Sequence, residues 1–121
     1  MATLANAVFD SGLSTLTTNG TRIDICSAEP TTYAEATSTY TLGNSTITIG
    51  SPADRTGGGR EVTVGAVTDA NVTGTGNAAY YAITNGSNTL YATGSLSTLQ
   101  SVATGNTFSL GSFTIGIPDP A

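Results

Sequence analysis

Apolar and polar residues alternate with a period of two along much of the chain, and turn-forming residues interrupt the alternation at short intervals. The clearest run is residues 78–117, AAYYAITNGSNTLYATGSLSTLQSVATGNTFSLGSFTIGI. Tyr81 and Ile83 share one parity, as do Leu90 and Ala92, and as do Phe113, Ile115 and Ile117. Successive side chains of a strand point to opposite faces, so each set can line one wall of a core. Between the runs stand Asn85-Gly86 and Gly105-Asn106. These residues tolerate the positive φ that tight reversals need. The pattern predicts an antiparallel meander here, with the rest of the chain supplying strands that complete it.

The N-terminal stretch has a different period. Leu4, Val8 and Phe9, then Leu13 and Leu16, form an imperfect 3.6-residue stripe, ended by Asn19-Gly20. It predicts a helix or, alternatively, an extended arm that packs on a partner. Residues 21–27 read as a strand with Ile23 and Ile25 on one face and Arg22, Asp24 and Cys26 on the other. Pro30 ends it, because proline cannot donate to a ladder. Residues 31–43 are sparse in apolar side chains and read as a long loop with one short helical turn near 33–36. A short strand is expected at 46–49, and a flexible surface loop at 51–59, SPADRTGGG. The next strand spans 60–68, with Val62 and Val64 inward and an irregularity at Gly65. Asp69-Ala70-Asn71 reads as a turn. Pro118 and Pro120 stop further pairing at the end of the last strand. The expected fold is all-β: a single antiparallel β-sandwich or small, jelly-roll-like barrel over 21–121, preceded by a helix or arm over 1–20.

Composition narrows the functional classes. A chain of 121 residues suits one domain. Only 9% of its residues are charged, against the roughly 25% usual in soluble domains, so short polar side chains carry its solubility. The net charge is −5, with three basic residues, all arginine. That disfavours nucleic acid and a polybasic membrane contact as partners, since both need several cations. The single cysteine, Cys26, excludes an intrachain disulfide and reads as a small buried hydrophobe. No basic, apolar leader and no apolar run of transmembrane length is visible. Sequons at Asn19, Asn44, Asn71 and Asn85 follow from the Asn- and Thr-rich composition.

The residues that usually carry catalysis are missing. With no histidine and no lysine, the chain can build neither a Ser-His-Asp nor a Cys-His site, nor a zinc site of the usual kind. Glu29 and Glu35 are an imaginable acid–nucleophile pair but read more simply as solvated loop acids. Asp69-Ala70-Asn71 lacks the glycine and distant glutamate of a calcium loop. Thr56-Gly57-Gly58-Gly59-Arg60 lacks the lysine of a phosphate loop and leads into a strand. No enzymatic activity and no cofactor are expected. Arg55 and Arg60 read instead as anchors for carboxylates on a partner, because a guanidinium can pair bidentately at an interface. Leu4, Val8 and Phe9 of the N-terminal stretch are the second candidate contact.

Four segments, taken together, resemble a family of small phage virion proteins common in phages and prophages of alphaproteobacteria. They are Ile23-Asp24-Ile25-Cys26-Ser27-Ala28-Glu29-Pro30-Thr31-Thr32-Tyr33; Gly57-Gly58-Gly59-Arg60-Glu61-Val62-Thr63-Val64; Ala79-Tyr80-Tyr81-Ala82-Ile83 with Leu90-Tyr91-Ala92-Thr93-Gly94-Ser95-Leu96; and Val102-Ala103-Thr104-Gly105-Asn106-Thr107-Phe108 with Phe113-Thr114-Ile115-Gly116-Ile117-Pro118-Asp119-Pro120. The last two also resemble a wider group of phage proteins labelled tail fibre or head decoration. The resemblance covers most of the chain after Thr21 and brings no catalytic residues. It implies a capsid decoration (cement) protein on the outer surface of the phage head, made in the host cytoplasm. The major capsid protein would be its partner and a homotrimer its assembly state. The alternative it implies is a tail- or fibre-associated virion protein that touches the host surface.

Overall fold

A computed structural model describes residues 5–118. A helix, α1 (Asn6–Asn19), leads into β1 (Arg22–Cys26). A strap follows, containing a single π-helical turn at Glu35–Thr39. Then come β2 (Thr41–Thr46), β3 (Ala53–Asp54), β4 (Arg60–Val64), β5 (Val67–Asn71), β6 (Gly76–Thr84), β7 (Leu90–Val102), β8 (Thr107–Leu110) and β9 (Phe113–Ile117). They form antiparallel sheets in the orders β2-β1-β6-β7, β3-β4-β9 and β5-β8. The architecture is a small open β-sandwich with one α-helix among the described residues, and its sheets do not close into a barrel.

One apolar core joins these layers. Ile23, Ile25 and Ile83 come from the four-stranded sheet, Val62 and Val64 from the three-stranded one, and Val67 and Phe108 from β5 and β8. Leu13 and Leu16 of α1 enter the same core. The helix stripe predicted from Leu13 and Leu16 therefore faces inward, as an amphipathic helix packed on a sheet must. Ile47 and Ile49 are buried between sheets. Instead of the strand expected at 46–49, Ile49 makes one isolated bridge, to Val64.

The meander is only partly realised. β6 and β7 pair as a hairpin through the Asn85-Gly86 turn, with Gly86 at φ 75°. The Asn85 carboxamide oxygen accepts the N–H groups of Ser87, Asn88 and Thr89, which holds that turn closed. β8 and β9 then leave the sheet for β5 and β4. Period-two alternation specifies which side chains share a face, but not which strand lies alongside. The parity of Leu90 and Ala92 also breaks. Ile83 pairs with Ala92 while Thr84 pairs with Leu90, so Tyr91 is an extra residue. That bulge turns Leu90 to the outer face and Ala92 to the core.

Two segments read as irregular are strands. β2 carries one large apolar residue, Leu42, yet pairs along all of β1. Its Gly43 is required where it stands: a Cβ there would lie 2.8 Å from the Asn71 carbonyl and 2.9 Å from the Phe108 ring. Asp69-Ala70-Asn71 lies within β5 rather than in a free turn. Asp69, at φ 51°, absorbs the register shift between Val67 and Ala70.

The outer face of β1 is covered too. Cys26, Ala36 and Ala82 form a second small cluster, flanked by Tyr40, Tyr80 and Leu90. The strap over 27–40 supplies the cover, and small Ala36 lets its backbone approach the Cys26 thiol, whose sulfur lies 3.7 Å from the Ala36 carbonyl oxygen. Burial, with a smaller contribution from Asp24, pushes that thiol up to about 12, so Cys26 is a packing residue rather than a nucleophile. Asp24 is fully buried under the same cover. It accepts two hydrogen bonds from the Arg22 guanidinium, at 2.8 and 3.0 Å, and one from the Thr41 hydroxyl at 2.7 Å.

Candidate functional site

The surface built from the two stretches singled out in the sequence is the best-defined candidate. The loop between β3 and β4 is a closed hairpin end rather than a loose one. Arg55 N–H donates to the Gly59 carbonyl at 3.1 Å, and Gly58 N–H donates to the Arg55 carbonyl at 3.1 Å. Gly57, Gly58 and Gly59 all have φ between 88° and 106°, a run that glycine alone adopts without strain. Arg60 begins β4 directly after this turn.

The Arg60 guanidinium is committed within the chain. It meets Asp10 of α1 through Nε–Oδ1 at 3.0 Å and Nη2–Oδ2 at 3.3 Å. It also donates to Asp54 at 2.7 Å and to the Pro52 carbonyl at 3.2 Å. These carboxylates, Asp10 first, raise the Arg60 pKa above its ordinary value, so the cation is permanent. Arg60 is therefore an internal clamp between helix and hairpin. Its role as a free anchor for a partner does not match its position.

Arg55 differs. Among the described residues it forms no ion pair. Its Nη1 donates to the Gly58 carbonyl at 3.1 Å, and its side chain lies along Gly116 of β9. On α1, Val8 is 58% exposed, whereas Phe9 is 2% exposed and faces inward, one residue away. Phe9 holds the helix on the protein, and Val8 is what the helix presents. Leu4 lies outside the described residues. The clamp thus brings Asp10 of the helix against Arg60 and Asp54 of the hairpin, residues far apart in the sequence, whereas Arg55 lies over Gly116, on the sheet face opposite to Arg60 and the helix.

Glu29 and Glu35 take up structural positions. The Glu35 carboxylate accepts the Thr31 N–H at 2.8 Å and the Thr31 hydroxyl at 2.7 Å. The Thr32 hydroxyl in return accepts the Glu35 N–H at 3.1 Å. This is a variant of the capping box: Thr32 of the Thr-x-x-Glu signature caps Glu35, while the Glu35 carboxylate reaches one residue further back, to Thr31. Glu29 receives only a long hydrogen bond, 3.4 Å, from the Thr93 hydroxyl. Among the described residues no group of three or more His, Cys, Asp or Glu is placed to hold a metal ion. No described helix is long and apolar enough to cross a membrane.

The capping bonds to Thr31 hold the Glu35 carboxyl below its ordinary range. Between that depressed value and the unfolded value of about 4.3, the unfolded chain binds more protons. The stabilisation by Glu35 is therefore complete above pH ~4.3 and lost as pH falls through the folded value. Glu35→Gln should remove this part of the acid-side slope in urea midpoints while leaving the neutral side flat. An unchanged slope would show that the cap contributes nothing.

No family model, curated protein or solved structure matches this chain.

Proposed function

We propose that the protein is a capsid decoration protein that binds the outer surface of a phage head and stabilises it, with the major capsid protein as partner. The observation that supports this reading best is the helix α1 held against the β3–β4 hairpin by Arg60. The helix offers an exposed apolar side chain, Val8, and the other face of the hairpin's sheet carries Arg55, which forms no ion pair among the described residues. A helix clamped to a sheet by Arg60 presents Val8 with little ordering cost on binding, which favours affinity. Each contact is modest, and many copies on a shell sum them through multivalency. The absence of histidine and lysine, and the resemblance of four segments to phage virion proteins, support the same reading.

Titration of purified empty heads tests it. Saturable binding is expected, with Arg55→Glu weakening it at least tenfold, the effect of losing one charge-assisted hydrogen bond of ~1.5–3 kcal/mol. Failure to bind heads, or binding to tails instead, would replace this reading with attachment at the tail.

A further inference from the structure

A second surface stands apart from that face. β7 pairs only with β6, and β9 only with β4, among the described residues. Their free edges flank one open side of the sandwich. Two hollows lie along it. The larger, about 500 Å³, is lined by residues that include Tyr81, Leu96, Gln100, Leu110 and Phe113. The smaller, about 360 Å³, includes Leu13, Leu16, Tyr91, Ala92, Ile115 and Ile117. The floor of the larger hollow is held by an aromatic pair across the gap, Tyr81 and Phe113, with ring centroids 4.7 Å apart. Gly94 makes this possible, because a Cβ there would come within 2.6–2.8 Å of the Tyr81 ring.

We propose that this open side is the interface for a second copy of the same chain, joined about a two-fold axis. The first argument is charge. Residues 70–118, which build β6 to β9, contain no charged side chain, whereas the chain as a whole carries −5. Two copies can meet here without like-charge repulsion, which costs several kcal/mol when charges are juxtaposed. A strongly charged partner would find no complementary group. The second argument is the edges. Neither β7 nor β9 contains the lysine, proline or inward charge that normally blunts an exposed edge.

The third argument is shape. Ser95 pairs with Tyr80 and Gln100 with Ala78, so residues 96–99 stand opposite Ala79 alone. This excursion takes Leu96 into the larger hollow and leaves Leu99 58% exposed. Ile117, at the smaller hollow, is 38% exposed. Projecting apolar groups and hollows on one patch make it self-complementary, as an isologous contact requires. A two-fold pair differs from the trimer that the family resemblance implies.

Sedimentation equilibrium across the micromolar range tests the inference. The native chain should approach twice 12.1 kDa. Leu99→Asp and Ile117→Asp should each weaken the dimer at least tenfold while leaving circular dichroism and the cooperative melt intact. A monomer throughout, a stable trimer, or a dimer unmoved by both substitutions overturns it. Head binding is a separate measurement, so a dimer that ignores phage heads would remove the function proposed above and leave this interface standing.

Discussion

Replacing Gly59 with alanine is expected to destabilise the protein by more than about 3 kcal/mol, because two costs coincide there. The backbone sits at φ 88°, in the region that an L side chain enters at a cost of ~1–2 kcal/mol. A Cβ would also collide with the Ile117 carbonyl oxygen and approach Pro118 Cα to 2.8 Å. Both obstacles are backbone, and neither can rotate away. Relief requires moving β9 off β4 where Arg60 pairs with Ile117, next to the fully buried Val62. Gly57 is the control. Its φ is 91°, yet its nearest neighbour would be Arg55 Nη1 at 4.0 Å, so Gly57→Ala should cost only the conformational ~1–2 kcal/mol. Urea unfolding should show the Gly59→Ala midpoint well below that of Gly57→Ala. Equal losses would mean that the close approach to β9 does not matter.

Arg22→Ala is expected to cost ~3 kcal/mol, near the lower end for breaking a buried ion pair. Asp24 is 0% exposed, and Arg22 supplies two of its three side-chain hydrogen bonds. Without Arg22 the carboxylate stays under the strap with only the Thr41 hydroxyl. The arginine itself is 29% exposed and can turn to water, so the cost falls on the acid. Replacing both partners, Arg22→Met with Asp24→Leu, should therefore recover most of the loss, since it removes the stranded charge. A double variant no more stable than Arg22→Ala would locate the effect in packing rather than in the charge.

Much of the candidate surface was legible as separate pieces. Val8 on a helix and Arg55 in a glycine turn both follow from local pattern, because helix period and positive-φ chemistry act over a few residues. What each arginine does was not legible. Arg55 and Arg60 are alike as residue types and lie five apart, but Asp10, far away in the chain, sits against Arg60 and not Arg55. The same limit hid β2. Its glycine and asparagine argue against a strand locally, and pairing with β1 and packing under Phe108 override them. The Thr-x-x-Glu signature at Thr32 and Glu35 is legible as a local cap, but the surrounding loop lacks the apolar stripe that would mark a helix after it.

By itself, then, the order of residues determined the class of fold, the strand-rich second half, the helical period of the N-terminal stretch and the absence of histidine and lysine. Each depends on periodicity or on residue chemistry, which are local. Tertiary structure decided which strands lie side by side, why Asp24 is buried on a face that reads as polar, which arginine clamps the helix to the hairpin, and where two edges, unpaired among the described residues, leave an uncharged open side. Those depend on distant segments meeting, and an alternating pattern is equally satisfied by several neighbours until the whole core is packed.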